Sequence, residues 1–376
     1  RRMRTKILII YILANINLVY AQKPILFIGA TAHLGNGEMI ETSIISVQNG
    51  KFDLVADVKN IRIDPNAFDT IYRCYGEHIY PGFIAPNTKL GLTEIDAVRA
   101  THDYQETGEI KPHVRSLTAY NTDSKIIKTV RTNGILLAQS TPRGGWVSGQ
   151  SSVFYLDGWN WEDAICRQDD GIHLSWPTSF NKSGSWDNQK KSKKEKNRYE
   201  SVEKIKIFLK NANAYFQNND ELDIQYEATR GIFNGTKTLY IHANYSKDII
   251  ESIQTCLKIG VKKIVLVGGR DVLSTIEFLK KRNIPVILNR IHSLPYNEDS
   301  PLDQSFTLPA QLHNHGILFC LAYNGDMEAM GTRNLPFTAG TSVAYGLKYE
   351  DAVKIITLNP AKILGINKGS LKKGSD

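Results

Sequence analysis

The stretch Tyr80-Pro-Gly-Phe-Ile-Ala-Pro-Asn-Thr-Lys-Leu-Gly91 marks the point at which the pattern of the sequence changes. Before it, residues 25–75 alternate short apolar runs with polar turns, and Asn49-Gly50 is a tight-turn signal between two strands. This part predicts a small antiparallel β unit. After it, short apolar runs alternate with helix-like stretches, which indicates parallel strands joined by right-handed crossovers.

The apolar runs predict the strands of a central sheet, because runs without a polar face suit strands buried on both sides. They are residues 134–140, 238–243, 263–267, 285–288 and 317–322. Amphipathic stretches predict helices at 247–258, 271–281 and 350–364. We predict an α/β fold with a closed (β/α)8 TIM barrel, and the alternative is an open doubly wound sheet. No G-x-G-x-x-G motif follows a strand, so the glycines give the open sheet no support.

The net charge of +8 is concentrated in two short segments. Residues 1–21 hold four basic residues and no acidic one, and Lys190–Arg198 contributes a further +5, so the rest of the chain is close to neutral. The lysine-rich segment predicts a surface loop or a frayed helix start. A nucleic-acid site would also need arginine and aromatic residues, so we expect no nucleic-acid partner.

The first 21 residues have the pattern of a secretory signal peptide. A basic start is followed by the apolar run Ile7–Leu13, and Val19-Tyr20-Ala21 offers a cleavage site. The alternative is a membrane anchor, but the apolar run is shorter than the roughly 20 residues that span a bilayer. We predict an exported protein, periplasmic or extracellular, with no stable membrane insertion after cleavage. Export permits disulfides, but the four cysteines are widely spaced in apolar surroundings, which favours buried free thiols.

Two segments resemble the amidohydrolase superfamily, and in particular its imidazolonepropionase-like metal-dependent hydrolases. Residues 80–91 resemble the first-strand motif PGFID-x-H-x-H, and residues 345–376 resemble the C-terminal pattern, including Thr357-Leu-Asn-Pro-Ala. The resemblance implies a TIM barrel flanked by a small β-sandwich built from both chain ends. The corresponding domain limits are a signal peptide at 1–21, the N-terminal part of the sandwich at 22–78, the barrel at 79–365, and a truncated return to the sandwich at 366–376.

The resemblance also implies a set of metal ligands, of which the sequence keeps only a part. The two first-strand histidines, which would hold a divalent metal such as zinc, fall on Asn87 and Lys89. His242 matches the fifth-strand histidine ligand, and Asp326 is the nearest match to the eighth-strand general base. The resemblance thus predicts a divergent member in which His242 binds a metal, or in which no metal is bound. We expect the Lys89 ammonium to occupy the metal position and to face His242 and Asp326.

A second candidate cluster follows the predicted strand 134–140. Residues 141–152 are rich in glycine and hydroxyl side chains, which suits a loop that approaches a ligand closely. We predict that Arg143 binds a substrate carboxylate and that Trp159 forms a stacking wall. The alternative is a glycine-rich turn followed by a short strand with tryptophans in the core.

The remaining serine and histidine residues give weaker signals. No G-x-S-x-G motif is present, and the sequence places no His/Asp pair beside Ser148 or Ser151, so we do not expect a serine nucleophile. His313 and His315 read as the end of a helix. His292 follows a predicted strand and is a candidate to face the site.

The resemblance implies a hydrolase that acts on C–N bonds in cyclic amides or blocked dipeptides. In intact members a metal activates water and an aspartate accepts the proton. Because the ligand set here is incomplete, the alternative is a catalytically inactive homologue that binds a small ligand or a partner in the same cavity. Either form would bind a small molecule, as a homo-oligomer or in a complex with an intact relative.

Overall fold

The computed structural model describes residues 23–180, 188–218, 221–295 and 300–376. The predicted signal peptide lies outside the described residues. Within them, no helix is both long enough and apolar enough to cross a membrane. The chain divides into two compact units, one formed by residues 23–32, 39–79 and 371–376 and the other by residues 33–38 and 80–370.

The smaller unit is built of short β-strands. They are β1 (Ile25–Ile28), β2 (Thr31–His33), β3 (Met39–Ile40), β4 (Ser43–Gln48), β5 (Lys51–Asp57), β6 (Thr70–Arg73) and β7 (His78–Ile79), with 3-10 turns at Val58–Asn60 and Pro65–Ala67. One sheet has the order β5-β4-β1-β6 and the other β3-β2-β7. The predicted hairpin at Asn49-Gly50 is confirmed: it joins antiparallel β4 and β5, with both turn residues at positive φ.

The larger unit is organised around an eight-stranded sheet. Its strands are β8 (Phe83–Thr88), β9 (Ile135–Ser140), β10 (Val147–Tyr155), β11 (Ile165–Ser175), β12 (Thr238–Ala243), β13 (Ile264–Gly268), β14 (Val286–Leu288) and β15 (Phe319–Leu321). They lie side by side in chain order, as in a nearly closed barrel. The predicted fold class, a TIM barrel with a small β-sandwich, is confirmed, and the five apolar runs all became strands.

Helices connect and cover the barrel strands. They are α1 (Ser116–Ala119), α2 (Lys125–Arg131), α3 (Trp161–Ala164), α4 (Asn188–Asn218), α5 (Ile224–Asn234), α6 (Ser246–Ile259), α7 (Ile276–Lys281), α8 (Gln304–Asn314), α9 (Glu328–Gly331), α10 (Leu335–Ala344), α11 (Tyr349–Lys354) and α12 (Leu358–Leu364). Further 3-10 turns lie at Arg99–Thr101, Val272–Thr275 and Thr332–Asn334. The lysine-rich segment begins α4.

One strand departs from the parallel arrangement that the sequence predicts. β10 runs antiparallel to both of its neighbours, β9 and β11. Residues 141–146 connect β9 to β10, which is enough for a hairpin but far too short for a parallel crossover. Gly144 and Gly145 both take positive φ in this connection, and the backbone of residues 108–109 leaves no room for a side chain at Gly145. The other seven strands run in one direction, so their carboxyl ends meet at one edge.

The barrel interior has an apolar layer. Side chains from seven strands form it together with the final helix, and its buried members are Ile84, Leu137, Val153, Tyr240, Val265, Val267, Ile287, Cys320, Ala322, Ala361, Ile363 and Leu364. The intervening residues, such as Leu239 and Ile241 on β12, belong instead to the larger cluster that includes the helices, as the two-residue period of a strand requires. The inner face of β12 therefore presents Tyr240 and His242. All four cysteines are free, with Cys256 and Cys320 buried and the other two partly buried.

Candidate functional site

A buried polar layer adjoins the apolar layer inside the barrel. Asp170 accepts hydrogen bonds from the Tyr240 hydroxyl (2.6 Å), the Gln139 amide (2.8 Å) and the Ser151 hydroxyl (2.8 Å). All four side chains are at most 1% exposed. The pairing of β10 with β11 slips between Ser151 and Val153, and Asp169 has a φ of +44°. Such a bulge re-aims side chains, and here the Asp170 carboxylate bonds to inward-facing groups.

Two histidines continue this layer toward the carboxyl ends of the strands. His173 Nε2 lies 2.9 Å from Ser151 Oγ, and His173 Nδ1 lies 2.9 Å from His242 Nε2. The His173 ring stacks on Tyr240 at 4.6 Å between centroids. His173 is buried and His242, near the end of β12, is partly exposed. Asp170, Ser151, His173 and His242 thus form one continuous hydrogen-bonded chain.

An ion pair lies at the carboxyl ends of the strands. The Arg143 guanidinium donates to Asn87 Oδ1 (2.9 Å), to the Asn87 carbonyl (2.9 Å) and to Glu328 Oε1 (2.8 Å). Asn87 takes a φ of +52°, and its backbone N–H donates to Gln139 Oε1 (3.0 Å). Gln139 therefore joins the ion pair to the buried polar layer, and we call the whole arrangement the strand-end site.

The electrostatics of the site keep both histidines neutral. Burial lowers the pKa of His173 well below its ordinary value, and the charges of His242 and Arg143 lower it further. Burial, with the Arg143 charge, lowers the pKa of His242 to about 3. Burial raises the pKa of Glu328, against the opposing effect of the Arg143 and Lys89 charges.

The donor set of the site does not fit a divalent metal. In the described parts of the chain, no three His, Cys, Asp or Glu side chains are grouped so that they could hold an ion. The two histidines direct ring nitrogens at each other, and Asn87 Oδ1 and Glu328 are both bound to Arg143. A guanidinium is always charged and would repel a second cation. The resemblance to amidohydrolases implies a divalent metal, and the residues of this site do not fit one.

The structure brings together three of the residues predicted from the sequence. Asn87 and Arg143 are in direct contact, and Arg143 is close enough to His242 to lower its pKa. Within the chain Arg143 pairs with the Glu328 carboxylate, and its binding of a substrate carboxylate stays a prediction.

Lys89 does not take the position that we expected. β8 ends at Thr88, so Lys89 begins the following loop. Its ammonium lies 3.6 Å from the Asp96 carboxylate and 4.7 Å from the centre of the Tyr104 ring. The cation that acts on His242 is Arg143, and the expectation that Lys89 would face His242 and Asp326 was wrong.

Trp159 is not near the strand-end site. Because β10 is antiparallel, the residues after Tyr155 lie at the amino ends of the parallel strands, opposite the site. Trp159 is 90% exposed there, and it lines no wall. Trp161 packs partly buried against the core, which matches the alternative prediction.

Asp326 is exposed in the turn between β15 and α9, and Glu328, two residues later, is buried. The catalytic role of Asp326 remains a prediction. The other histidines lie away from these contacts: His292 Nε2 bonds to Thr341 Oγ1 (2.7 Å), and His313 and His315 end α8 as predicted.

Four residues of the site were not predicted from the sequence: His173, Asp170, Gln139 and Glu328. No strand was predicted at 165–175, since the run ICRQDDGIHLS is polar, yet Ile172 and Leu174 alternate with His173 as in a half-polar strand. Ser151 does have a His and an Asp beside it, against our expectation. Its hydroxyl is fully buried and bonds the carboxylate directly, so the Asp-His-Ser order of a nucleophilic triad is absent.

A cavity of about 610 Å³ lies at the carboxyl ends of the same strands. It is lined by Asn244 and Tyr245, which follow β12, and by Arg270, which follows β13. The Phe180 and Tyr245 rings stack at 4.6 Å on its wall. This end of the barrel therefore has room for a small molecule.

Comparison with known proteins agrees with the architecture. Residues 216–376 match the amidohydrolase family model, and no curated protein sequence matches the chain. An amidohydrolase from Thermotoga maritima MSB8 is similar in structure, with a TM-score of 0.79 and 24% identity over 94% of this chain and 92% of that one.

Two dipeptidases are more distant in structure. A β-aspartyl dipeptidase from Fervidobacterium islandicum AW-1 has a TM-score of 0.53 at 15% identity, over 94% of this chain and 90% of that one. A Xaa-Pro dipeptidase has a TM-score of 0.53 at 12% identity, over 94% and 92%. Residues 216–376 therefore resemble the amidohydrolase family, and the chain as a whole shares the fold of these solved structures.

Proposed function

We propose that the chain binds a small, uncharged amide at the strand-end site and does not carry out the metal-dependent hydrolysis of intact amidohydrolases. The observation that carries this proposal is the environment of Asn87. Its side chain is fully buried, Arg143 occupies its oxygen, and its Nδ2 has no partner among the described residues. An unpartnered buried donor costs about 1–3 kcal/mol, which a ligand carbonyl would offset.

Two further orphaned atoms have the complementary polarity. Asn244 and Asn289 each directly follow the last residue of a strand. Their Oδ1 atoms are buried acceptors without a partner among the described residues. They follow β12 and β14, which run in the same direction as β8, so all three asparagines lie at one edge of the barrel. One donor and two acceptors match the carbonyl and N–H groups of a cyclic amide or a blocked dipeptide.

The ion pair supports binding without metal-dependent cleavage. Arg143 holds both Asn87 and Glu328, and the two histidines bond to each other. A metal-activated water needs a ligand set with an open position, and these residues are already committed to one another.

A hydrolase acting on C–N bonds is the second candidate. The amidohydrolase family match over residues 216–376 favours it, and Asp326 would be its general base. It is distinguished from the first candidate by whether amides are cleaved.

The test uses the purified full chain with hydantoin, dihydrouracil and N-acetyl dipeptides as probes. We expect a rise in the midpoint of thermal unfolding with at least one probe, no metal by elemental analysis, and unchanged probe by mass spectrometry. Asn87→Ala should abolish the thermal shift, whereas Asn121→Ala, an exposed control, should keep it. Cleavage that zinc stimulates and a chelator abolishes would overturn the proposal in favour of the second candidate. The absence of a shift with every probe would reject the proposed ligand class.

We further propose export and assembly of the chain. The basic and apolar pattern of residues 1–21 supports export to the periplasm or the extracellular space. An incomplete ligand set in a hydrolase fold supports a complex with an intact relative, or a homo-oligomer. N-terminal sequencing of the mature protein and light scattering after size exclusion test the two points: a mature chain that begins at residue 1, or a monomer that co-purifies with no relative, would contradict them.

A further inference from the structure

The hydrogen-bonded chain from Asp170 to His242 has only two internally consistent proton arrangements. Each of its three links, Asp170–Ser151, Ser151–His173 and His173–His242, spans 2.8–2.9 Å. A neutral imidazole carries one N–H and one acceptor nitrogen. If one member of the chain donates toward Asp170, every other member must also donate toward Asp170. If one member donates toward His242, every other member must donate toward His242.

The residues around Asp170 favour one of the two arrangements. The Asn87 N–H donates to Gln139 Oε1, so the Gln139 amide nitrogen must face Asp170 Oδ2 and Ser151. The Tyr240 hydroxyl donates to the same Oδ2. Burial raises the pKa of Asp170, and the hydrogen bonds from Tyr240, Ser151 and Gln139 oppose that rise. Two fixed donors on Oδ2 favour an ionised carboxylate, which then also accepts the bond from Ser151.

We propose that Asp170, acting through Ser151 and His173, is a positioning residue that fixes His242 as the Nε2–H tautomer. Ser151 donates to Asp170, His173 Nε2–H donates to Ser151, and His242 Nε2–H donates to His173 Nδ1. His242 Nδ1 is then left as a hydrogen-bond acceptor.

This arrangement has a consequence for ligand choice, which rests on the proposed function. His242 lies on the inner face of β12, two residues before Asn244 in the cavity wall. The only ring nitrogen of His242 that bonds a described residue is Nε2, which contacts His173. As an acceptor, Nδ1 takes an N–H or O–H group of the ligand and disfavours a carbonyl at that point. The fixed tautomer thereby selects one orientation of a bound amide, with its N–H group toward His242 Nδ1.

The neutral state of the histidines suits this role. Burial lowers the pKa of both rings, so tautomers rather than charge states distinguish the forms of His242. A free imidazole exchanges between its two tautomers, and a chain that ends on a buried carboxylate removes that freedom.

The test is NMR of the ligand-free full chain with 15N-labelled histidine, in which pyridine-like and pyrrole-like ring nitrogens have well-separated shifts. Histidine-to-glutamine variants assign the two rings. In the wild type at neutral pH we expect a pyrrole-like Nε2 and a pyridine-like Nδ1 in His242. We expect the same two signals in His173, whose Nε2–H donates to Ser151 and whose Nδ1 accepts from His242.

Asp170→Asn should reverse the pattern. Gln139 and Tyr240 force the new amide oxygen into the place of Oδ2, so the amide nitrogen must donate to Ser151 and drive each later bond the other way. The His242 signals should then exchange to a pyrrole-like Nδ1. Ser151→Ala should give a mixture of tautomers. Ser148→Ala is the matched control, since that buried serine on the same strand bonds only the His173 carbonyl (3.4 Å), and it should keep the wild-type pattern.

The same His242 signals in the wild type and in Asp170→Asn would overturn the proposal, and so would a wild type with a pyrrole-like Nδ1. Because no ligand is present, failure here leaves ligand binding untouched. Conversely, failure of every probe to bind leaves the tautomer result intact.

Discussion

The two layers inside the barrel are equally buried and are built on different chemistry. In the apolar layer, Ile287, Val265 and Val153 belong to one buried apolar cluster that includes residues of the final helix. In the polar layer, Ser151, Asp170 and Gln139 are equally inaccessible, but every contact that orders them is a directional hydrogen bond.

The difference shows where the stability of the barrel and its specificity reside. Apolar burial is non-directional and tolerates rearrangement, whereas a buried polar network works only when each member is satisfied. We therefore expect the apolar layer to set the free energy of unfolding independently of pH. The polar layer should cost less to disturb and should respond to protonation.

The largest effect is expected in the apolar layer. Ile287→Ala leaves a cavity at a fully buried position and should lower the free energy of unfolding by about 4 kcal/mol. Denaturant unfolding at pH 7 and pH 5 measures it, and the loss should be equal at both. Leu294→Ala, at a position 86% exposed, is the control and should change stability by less than about 0.5 kcal/mol. A loss at Ile287 that depends on pH would break the distinction between the layers.

Next comes the ion pair at the carboxyl ends of the strands. Glu328→Gln removes the negative charge and leaves the Arg143 guanidinium with neutral acceptors only. Because the charge is partly buried, the free energy of unfolding should fall by about 3 kcal/mol. Glu109→Gln removes an exposed ion pair with Lys204 and should have almost no effect. Equal effects of the two variants would show that Arg143 is solvated and that the pair does not hold the site.

The two layers also differ in how far the sequence predicts them. The apolar strands followed from runs such as Lys263–Val267, because burial on both faces leaves a local pattern. The antiparallel direction of β10 could not be read, since it depends on a six-residue connection whose glycines fit a loop equally well. The contacts of Arg143 with Glu328 join residues 185 apart in the chain. Local periodicity does not predict contacts between residues so far apart in the chain. The resemblance at residues 80–91 did indicate Asn87.

A smaller effect should appear as a dependence on pH. His242 titrates near 6.5 when unfolded, and in the folded chain its pKa is lowered to about 3. Above pH 7 both states are neutral and the residue contributes nothing. As the pH falls below 6.5, only the unfolded state takes up the proton, so folding becomes less favourable, by at most about 2 kcal/mol at pH 5.

His242→Gln removes this contribution. Between pH 7 and pH 5, the wild type should therefore lose up to about 2 kcal/mol more stability than His242→Gln, measured by denaturant unfolding at each pH. His315→Gln, at an exposed histidine that directly follows α8, is the control and should follow the wild type closely. If the free energy of unfolding of the wild type and of His242→Gln changed equally with pH, the His242 imidazole would be protonated in the folded state. Water would then reach the polar layer.

The smallest effect concerns Tyr240, the residue that belongs to both layers. Its ring packs in the apolar layer and stacks on His173, while its hydroxyl donates to Asp170. Tyr240→Phe keeps the ring and removes one of the donors of an ionised carboxylate, so the free energy of unfolding should fall by about 1.5 kcal/mol. Tyr199→Phe, at an exposed position on α4, should be neutral. A fully neutral Tyr240→Phe would mean that Asp170 does not need this donor, as expected of a protonated carboxyl, and the direction of the hydrogen-bonded chain to His242 would then have to be reversed.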